Sequence, residues 1–173
     1  MVWRQILRTL RDGPDTATAA PVSDDTVRAL TARLDAAAQK RLGRSLSIRH
    51  IDAGSCNGCE LEIHAAGNIV YDLERFGLRF VASPRHADVL LVTGPLTRNM
   101  RQALERTWHA TPDPKWVIAM GDCAVDGGVF KGSYAIHGGI DSVIPVDLVI
   151  RGCPPTPDQL LDGLRALVEA NSK

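Results

Sequence analysis

Net charge is the first thing this sequence lacks. Twenty Lys plus Arg balance twenty Asp plus Glu, so no global field draws the chain towards nucleic acid, whatever a local basic patch does. Aromatic residues are also scarce, at 5%, which removes the stacking platforms that single-stranded nucleic acid needs. Nucleic acid is therefore not an expected partner. No apolar run approaches the roughly 20 residues that cross a bilayer. The opening "MVWRQILRTLRDG" has neither the apolar stretch and cleavage site of a secretory signal nor a twin-arginine pair. The expected location is the cytoplasm, where thiols stay reduced and cysteines are more often catalytic or metal-binding than paired. Two disulfides from the four cysteines are disfavoured on the same ground.

What is present suits one globular domain with a short appendage, since 173 residues can bury a substantial core. Trp3, Ile6, Leu7 and Leu10 recur at helical spacing opposite Arg4, Arg8 and Arg11, an amphipathic basic helix suited to a membrane surface or a partner subunit. "DGPDTATAAPVS" (12–23) reads as a linker. A second helix over 23–43 has Ser23 as cap, Val27, Leu30 and Leu34 in its apolar stripe, and Gly43 at its end. Residues 1–44 thus form an N-terminal helical extension and linker, and 45–173 the main domain. There, strands are predicted at 46–52, 78–83, 87–94, 115–121 and 146–152, and helices at 58–77, 97–110 and 156–171. This alternation, with near-continuous apolar strands, indicates an α/β fold: a flavodoxin-like, doubly wound parallel sheet covered by helices on both faces.

Each cysteine follows a predicted strand. Cys56 and Cys59 come after "LSIRHID", Cys123 after "KWVIAMG", and Cys153 after "VDLVIRG". An open parallel sheet brings the carboxyl ends of its strands to one edge, where ligands bind, so distant cysteines are delivered to one place. A structural zinc site usually has two short-spaced knuckles, and only C-x2-C at 56–59 is present. A redox dithiol would use Cys56 and Cys59 and leave the others idle. An iron–sulfur cluster takes four thiolates and tolerates wide spacing on a rigid fold. Glycines at 54, 58, 121, 127, 128 and 152 allow close backbone approach, Cys59 sits near a helix N-terminus, and Pro154 follows Cys153. These features favour the cluster and leave zinc and the dithiol open.

"CNGCELEI", "RFVASPRHADVLLVTGPLTRNM", "PKWVIAMGDCAVDGG" and "PVDLVIRGCPPTP" resemble, in order and over about 45–168, the small electron-transfer subunit of group 4 membrane-bound nickel–iron hydrogenases and formate hydrogenlyase-type complexes. That subunit shares its family with the 20-kDa subunit of respiratory complex I. The resemblance implies a flavodoxin-like domain with one [4Fe–4S] cluster on Cys56, Cys59, Cys123 and Cys153, docked to a large subunit and served by other iron–sulfur and membrane subunits. It implies a non-catalytic electron-transfer subunit of an oxidoreductase, peripheral on the inner face of the cell membrane. The alternative is the iron–sulfur subunit of a complex I-type NADH:quinone oxidoreductase. Cys56-Asn-Gly-Cys59 favours the hydrogenase branch, because the complex I subunit typically has adjacent cysteines at that position.

Other residues read less sharply. Glu60 and Glu62 are expected to be solvated first-turn acids more often than proton relays or partner contacts. Arg151 either offsets cluster charge or caps a strand. The histidines at 50, 64, 86, 109 and 137 share no spacing and earn no ligand role. "GPLTRN" (94–99) is expected to line the cluster or the partner interface. The long 124–145 connection, with Phe130, Tyr134 and Ile136, is expected to dock the large subunit.

Overall fold

The computed structural model describes residues 45–76 and 78–171; the expected helices at 2–11 and 23–43 and their linker lie outside them. Among the described residues seven strands are formed: β1 Ser47–Asp52, β2 Arg79–Phe80, β3 Val89–Thr93, β4 Leu96–Thr97, β5 Trp116–Met120, β6 Ile136–Gly138 and β7 Leu148–Ile150. Four α-helices accompany them: α1 Gly58–Ala66, α2 Arg101–Ala110, α3 Asp122–Asp126 and α4 Pro157–Asn171. The main sheet is parallel, in the order β2-β1-β3-β5-β7. Counting its own strands along the chain, that is 2-1-3-4-5, the flavodoxin-like order. The expected fold class is borne out.

Strands β3 (VLLVT) and β5 (WVIAM) are buried throughout, as central strands covered on both faces must be. Their alternate residues enter different layers. Leu91, Ile118 and Met120 meet Ile63 of α1 and Leu160, Leu161 and Leu164 of α4. Leu90, Val92, Val117 and Ala119 meet Leu104 of α2 with Ile140 and Ile144. Side chains also set where strands begin: Asp88 accepts from the Ser47 N–H at 2.9 Å, and Asp147 from the Val117 N–H at 2.7 Å.

The pairing levels the strand ends. Asp52 stands opposite Thr93, Thr93 opposite Met120, and Met120 opposite Ile150. Four strands therefore release their following loops at the same height.

Three expected elements differ. The helix predicted over 58–77 stops at Ala66. Beyond Gly67 the Asn68 side chain accepts from the Val70 and Tyr71 N–H groups at 2.8 and 3.2 Å, offering the backbone an alternative to helix, and a 3-10 turn follows at Leu73–Phe76. Helix 97–110 begins only at Arg101, because Leu96–Thr97 pairs with Ile136–Gly138 in an antiparallel ribbon. That ribbon, together with α3, structures much of the 124–145 connection. The strand predicted over 78–83 shrinks to two residues.

Because Leu91 is fully buried between sheet and helices, Leu91→Ala is expected to cost about 2–5 kcal/mol. Urea unfolding checks this, and a loss below about 1 kcal/mol would contradict the packing described.

Candidate functional site

The loop after β1 is shaped by short polar contacts. Asp52 Oδ1 accepts from the Gly54 and Ser55 N–H groups at 2.7 and 2.6 Å, an Asx turn that reverses the chain. Ser55 Oγ accepts from the Asn57 N–H at 3.1 Å, and Asn57 is left-handed (φ 71°) as the chain enters α1. Cys56 is consequently exposed just before the helix, and Cys59 is half-buried in its first turn. After β5, Gly121 turns the chain at φ +92° into the short helix α3, which buries Cys123. After β7, Gly152 at φ +143° presents the exposed Cys153.

All four thiols line one cavity of about 100 Å³, with Gly58, Gly94 and Gly121 among its other walls. Two glycines hold space open beside sulfur. A Cβ on Gly121 would lie 2.7 Å from Cys59 Sγ, and one on Gly128 would lie 2.8 Å from Cys123 Sγ. Gly94, after β3, lets its loop pass Ser55: a Cβ there would come within 2.5 Å of the Ser55 backbone nitrogen. No group of three or more His, Cys, Asp and Glu among the described residues is drawn together around a single ion; the thiols surround a space.

Burial, more than any other influence, pushes the Cys59 thiol from its ordinary value near 9 up to about 12, and Glu60 and the other three cysteines add to the rise. The helix N-terminus cannot offset this. It stabilises an anion by about 0.3–1 kcal/mol, whereas a single step in pKa is worth about 1.4 kcal/mol. Burial also raises Cys123, opposed by the Val129 backbone N–H, which donates to its sulfur. Four thiolates together need a positive centre among them.

Arg151 pairs with two acids of α3. Its Nη1 lies 3.6 Å from Asp122 Oδ1 and 3.9 Å from Asp126 Oδ2. Asp122 Oδ1 also accepts from the Gly152 N–H at 3.3 Å, and the Asp122 N–H donates to the Gly152 carbonyl at 2.9 Å. Backbone and side chain thus tie the Cys123 loop to the Cys153 loop. Thr97 plays the matching part on the β3 side, donating from Oγ1 to the Ala53 carbonyl at 2.8 Å.

Glu60 is a correction. Instead of a solvated acid it is 7% exposed, and its Oε1 accepts from Thr93 Oγ1. His50 Nε2 lies 2.9 Å from that hydroxyl and 3.5 Å from the carboxylate. Since a carboxylate only accepts, Thr93 donates to it, and His50 Nε2–H in turn donates to Thr93. Burial lowers the His50 pKa, against the pull of Glu60 and Asp52. A signal was available: Glu60, Ile63 and Ala66 recur three apart and all lie buried on one helix stripe. Glu62 is partly exposed, and His64, His86, His109 and His137 are exposed.

With this geometry in view, the chain can be set beside known proteins. Residues 56–167 match the family model of the NADH ubiquinone oxidoreductase 20 Kd subunit, more than half of the chain. The chain belongs to that family. It is 46% identical over 151 residues to formate hydrogenlyase subunit 7 of Escherichia coli, with 87% of this chain and 59% of that protein covered. It therefore spans about three fifths of that relative's length. Identity is 47% over 134 residues to the probable membrane-bound hydrogenase subunit mbhJ of Pyrococcus furiosus, covering 78% of this chain and 80% of that one. Among solved structures, a chain of the membrane-bound sulfane sulfur reductase, an archaeal respiratory membrane complex, superposes with a TM-score of 0.67 at 36% identity; 81% of this chain and 76% of that chain are covered. The expected resemblance to hydrogenase and complex I subunits is borne out. The family is that of an oxidoreductase subunit, and the two curated relatives are named as subunits of a formate hydrogenlyase and of a membrane-bound hydrogenase. Among the described residues no helix is long and apolar enough to cross a membrane.

In metal-free protein at pH 9, Cys59 should alkylate at least tenfold more slowly than an unhindered model thiol, because so little of it is thiolate. Peptide mapping after iodoacetamide reads this, and equal rates would show that burial does not control the thiol.

Proposed function

We propose that this chain is the electron-transfer subunit of a membrane-associated, nickel–iron-hydrogenase-type complex, holding one [4Fe–4S] cluster on Cys56, Cys59, Cys123 and Cys153. The observation that carries the reading is the single cavity lined by four thiols from three separate strand ends. The residues fit such a group. Iron supplies the positive charge that a thiolate set with raised pKa values calls for. Gly121 and Gly128 leave room beside the sulfurs, the Val129 N–H reaches Cys123, and iron–sulfur chemistry is what the family leads one to expect. When bound, a cluster of this kind accepts and releases single electrons. The chain's own part is to fix the thiolates, limit water on the Cys59 and Cys123 side, and present the Cys56 and Cys153 side to a partner.

Electrons reach the site from other iron–sulfur subunits and leave to a large subunit. Val129 and Tyr134 are 78% and 88% exposed, with Phe130 beside them at 37%, on the segment that follows Cys123. Large apolar side chains so placed are anchors for that partner. Membrane subunits hold the assembly peripherally on the inner membrane face. The family match to complex I supports a second reading, in which the large partner forms a quinone pocket; the C-x2-C at Cys56 and Cys59 favours the hydrogenase type.

Anaerobic purification should give about four iron and four sulfide per chain, and substitution of any of the four cysteines by Ala should remove most of both. One zinc per chain with no sulfide would replace the cluster with a zinc module. Two C-x2-C pairs in the co-purifying large subunit would mark the nickel–iron type, and their absence the quinone type. Separately, Tyr134→Asp should cut recovery of the large subunit at least fivefold while iron per chain stays constant. Unchanged recovery would place the partner elsewhere.

A further inference from the structure

A second cavity, of about 420 Å³, opens on the α1 side of the sheet, bounded by β1, α1 and the side chains of Leu73, Glu74 and Phe80. Its size falls within the usual range for small-molecule sites, about 300–1,000 Å³. Two acids, Glu60 and Glu74, and two histidines, His50 and His64, reach its wall, and Ile63 and Phe80 supply apolar surface. No lysine or arginine stands among its described lining residues. Glu60 is the decisive group. Thr93 and His50 engage its Oε1, while its buried Oε2 has no hydrogen-bond partner among the described residues. A buried acceptor left unsatisfied costs about 1–3 kcal/mol, and more when charged, so a donor delivered through the cavity gains what the fold leaves unmet.

We propose that this cavity is a binding site for a small organic cation: an ammonium, amidinium or guanidinium head on a ring or short hydrocarbon body. The head donates to Glu60 Oε2, Glu74 adds negative potential, and the body lies against Ile63 and Phe80. Burial keeps His50 from competing as a cation, and its bond to Thr93 holds Oε1 occupied, which leaves Oε2 to the ligand. A neutral ligand of the same shape forfeits the charge-assisted bond, worth roughly twice a neutral one. This site stands apart from the four cysteines, although Glu60 follows Cys59 directly.

The test is calorimetric titration of the full chain at pH 7 with benzamidinium and with benzamide, its neutral counterpart. Benzamidinium should bind saturably and at least tenfold more tightly than benzamide, and Glu60→Gln should reduce that preference to threefold or less. In nitrogen-15 spectra the imidazoles of His50 and His64 should shift with benzamidinium while those of His109 and His137 stay still, a measurement that needs no variant at Glu60. No saturable binding, equal binding of the two probes, unmoved His50 and His64 signals, or a folded Glu60→Gln protein that keeps the tenfold preference would each overturn the assignment. Iron and sulfide are counted in the same preparations. Iron-free protein that still prefers benzamidinium keeps this site and removes the cluster; iron-loaded protein without that preference does the reverse.

Discussion

The level register of β1, β3, β5 and β7 is the constraint on which the rest of the molecule depends. Parallel pairing puts Asp52, Thr93, Met120 and Ile150 in one row, and each following loop leaves from there. A slip of one residue in any strand would turn its side chains to the opposite face. It would expose one core layer and move a cysteine loop at the same time. Strand burial and site geometry are therefore a single requirement, met by alternating apolar residues that feed two separate helix layers.

At that row, electrostatics and packing pull in opposite directions. Burial and neighbouring anions disfavour ionised sulfur at Cys59, yet the proposed iron–sulfur ligation calls for thiolates. The fold answers with space and donors: glycines that leave the sulfurs room, and the Val129 N–H on Cys123. The exposed Arg151 spends its charge on Asp122 and Asp126. Pairs this open to solvent contribute little stability, so their role is to register one loop against another. The order His50, Thr93, Glu60 does similar work inside, linking the end of β3 to the first turn of α1.

Much of this was legible in the residues. The continuous apolar runs of "VLLVT" and "WVIAM" state that both faces are covered, and strand–helix alternation then fixes the class. Cysteine positions after strands foretell one shared edge, as found. Less legible was whatever depends on a side chain competing with backbone or on contacts remote in sequence. Asn68 ends α1 early through its own amide, though periodicity carries on past it. Leu96–Thr97 becomes strand only because Ile136–Gly138 arrives beside it. Glu60 reads as a dipole-complementing surface acid until strand β1 is seen to place His50 over it. Arg151 reads as a cluster counter-charge or a strand cap until α3, short and unforeseen, supplies its acids.

The uneven exposure of the four cysteines has a consequence for biogenesis. Cys59 and Cys123 are set back in the protein, while Cys56 and Cys153 stand at the open lip. If the proposed function holds, the cofactor enters through that lip, and the lip is the surface that the large subunit covers. On the proposed function that unevenness sets an order of assembly, in which loading of the group precedes docking and docking then shields it from oxygen and from competing thiols.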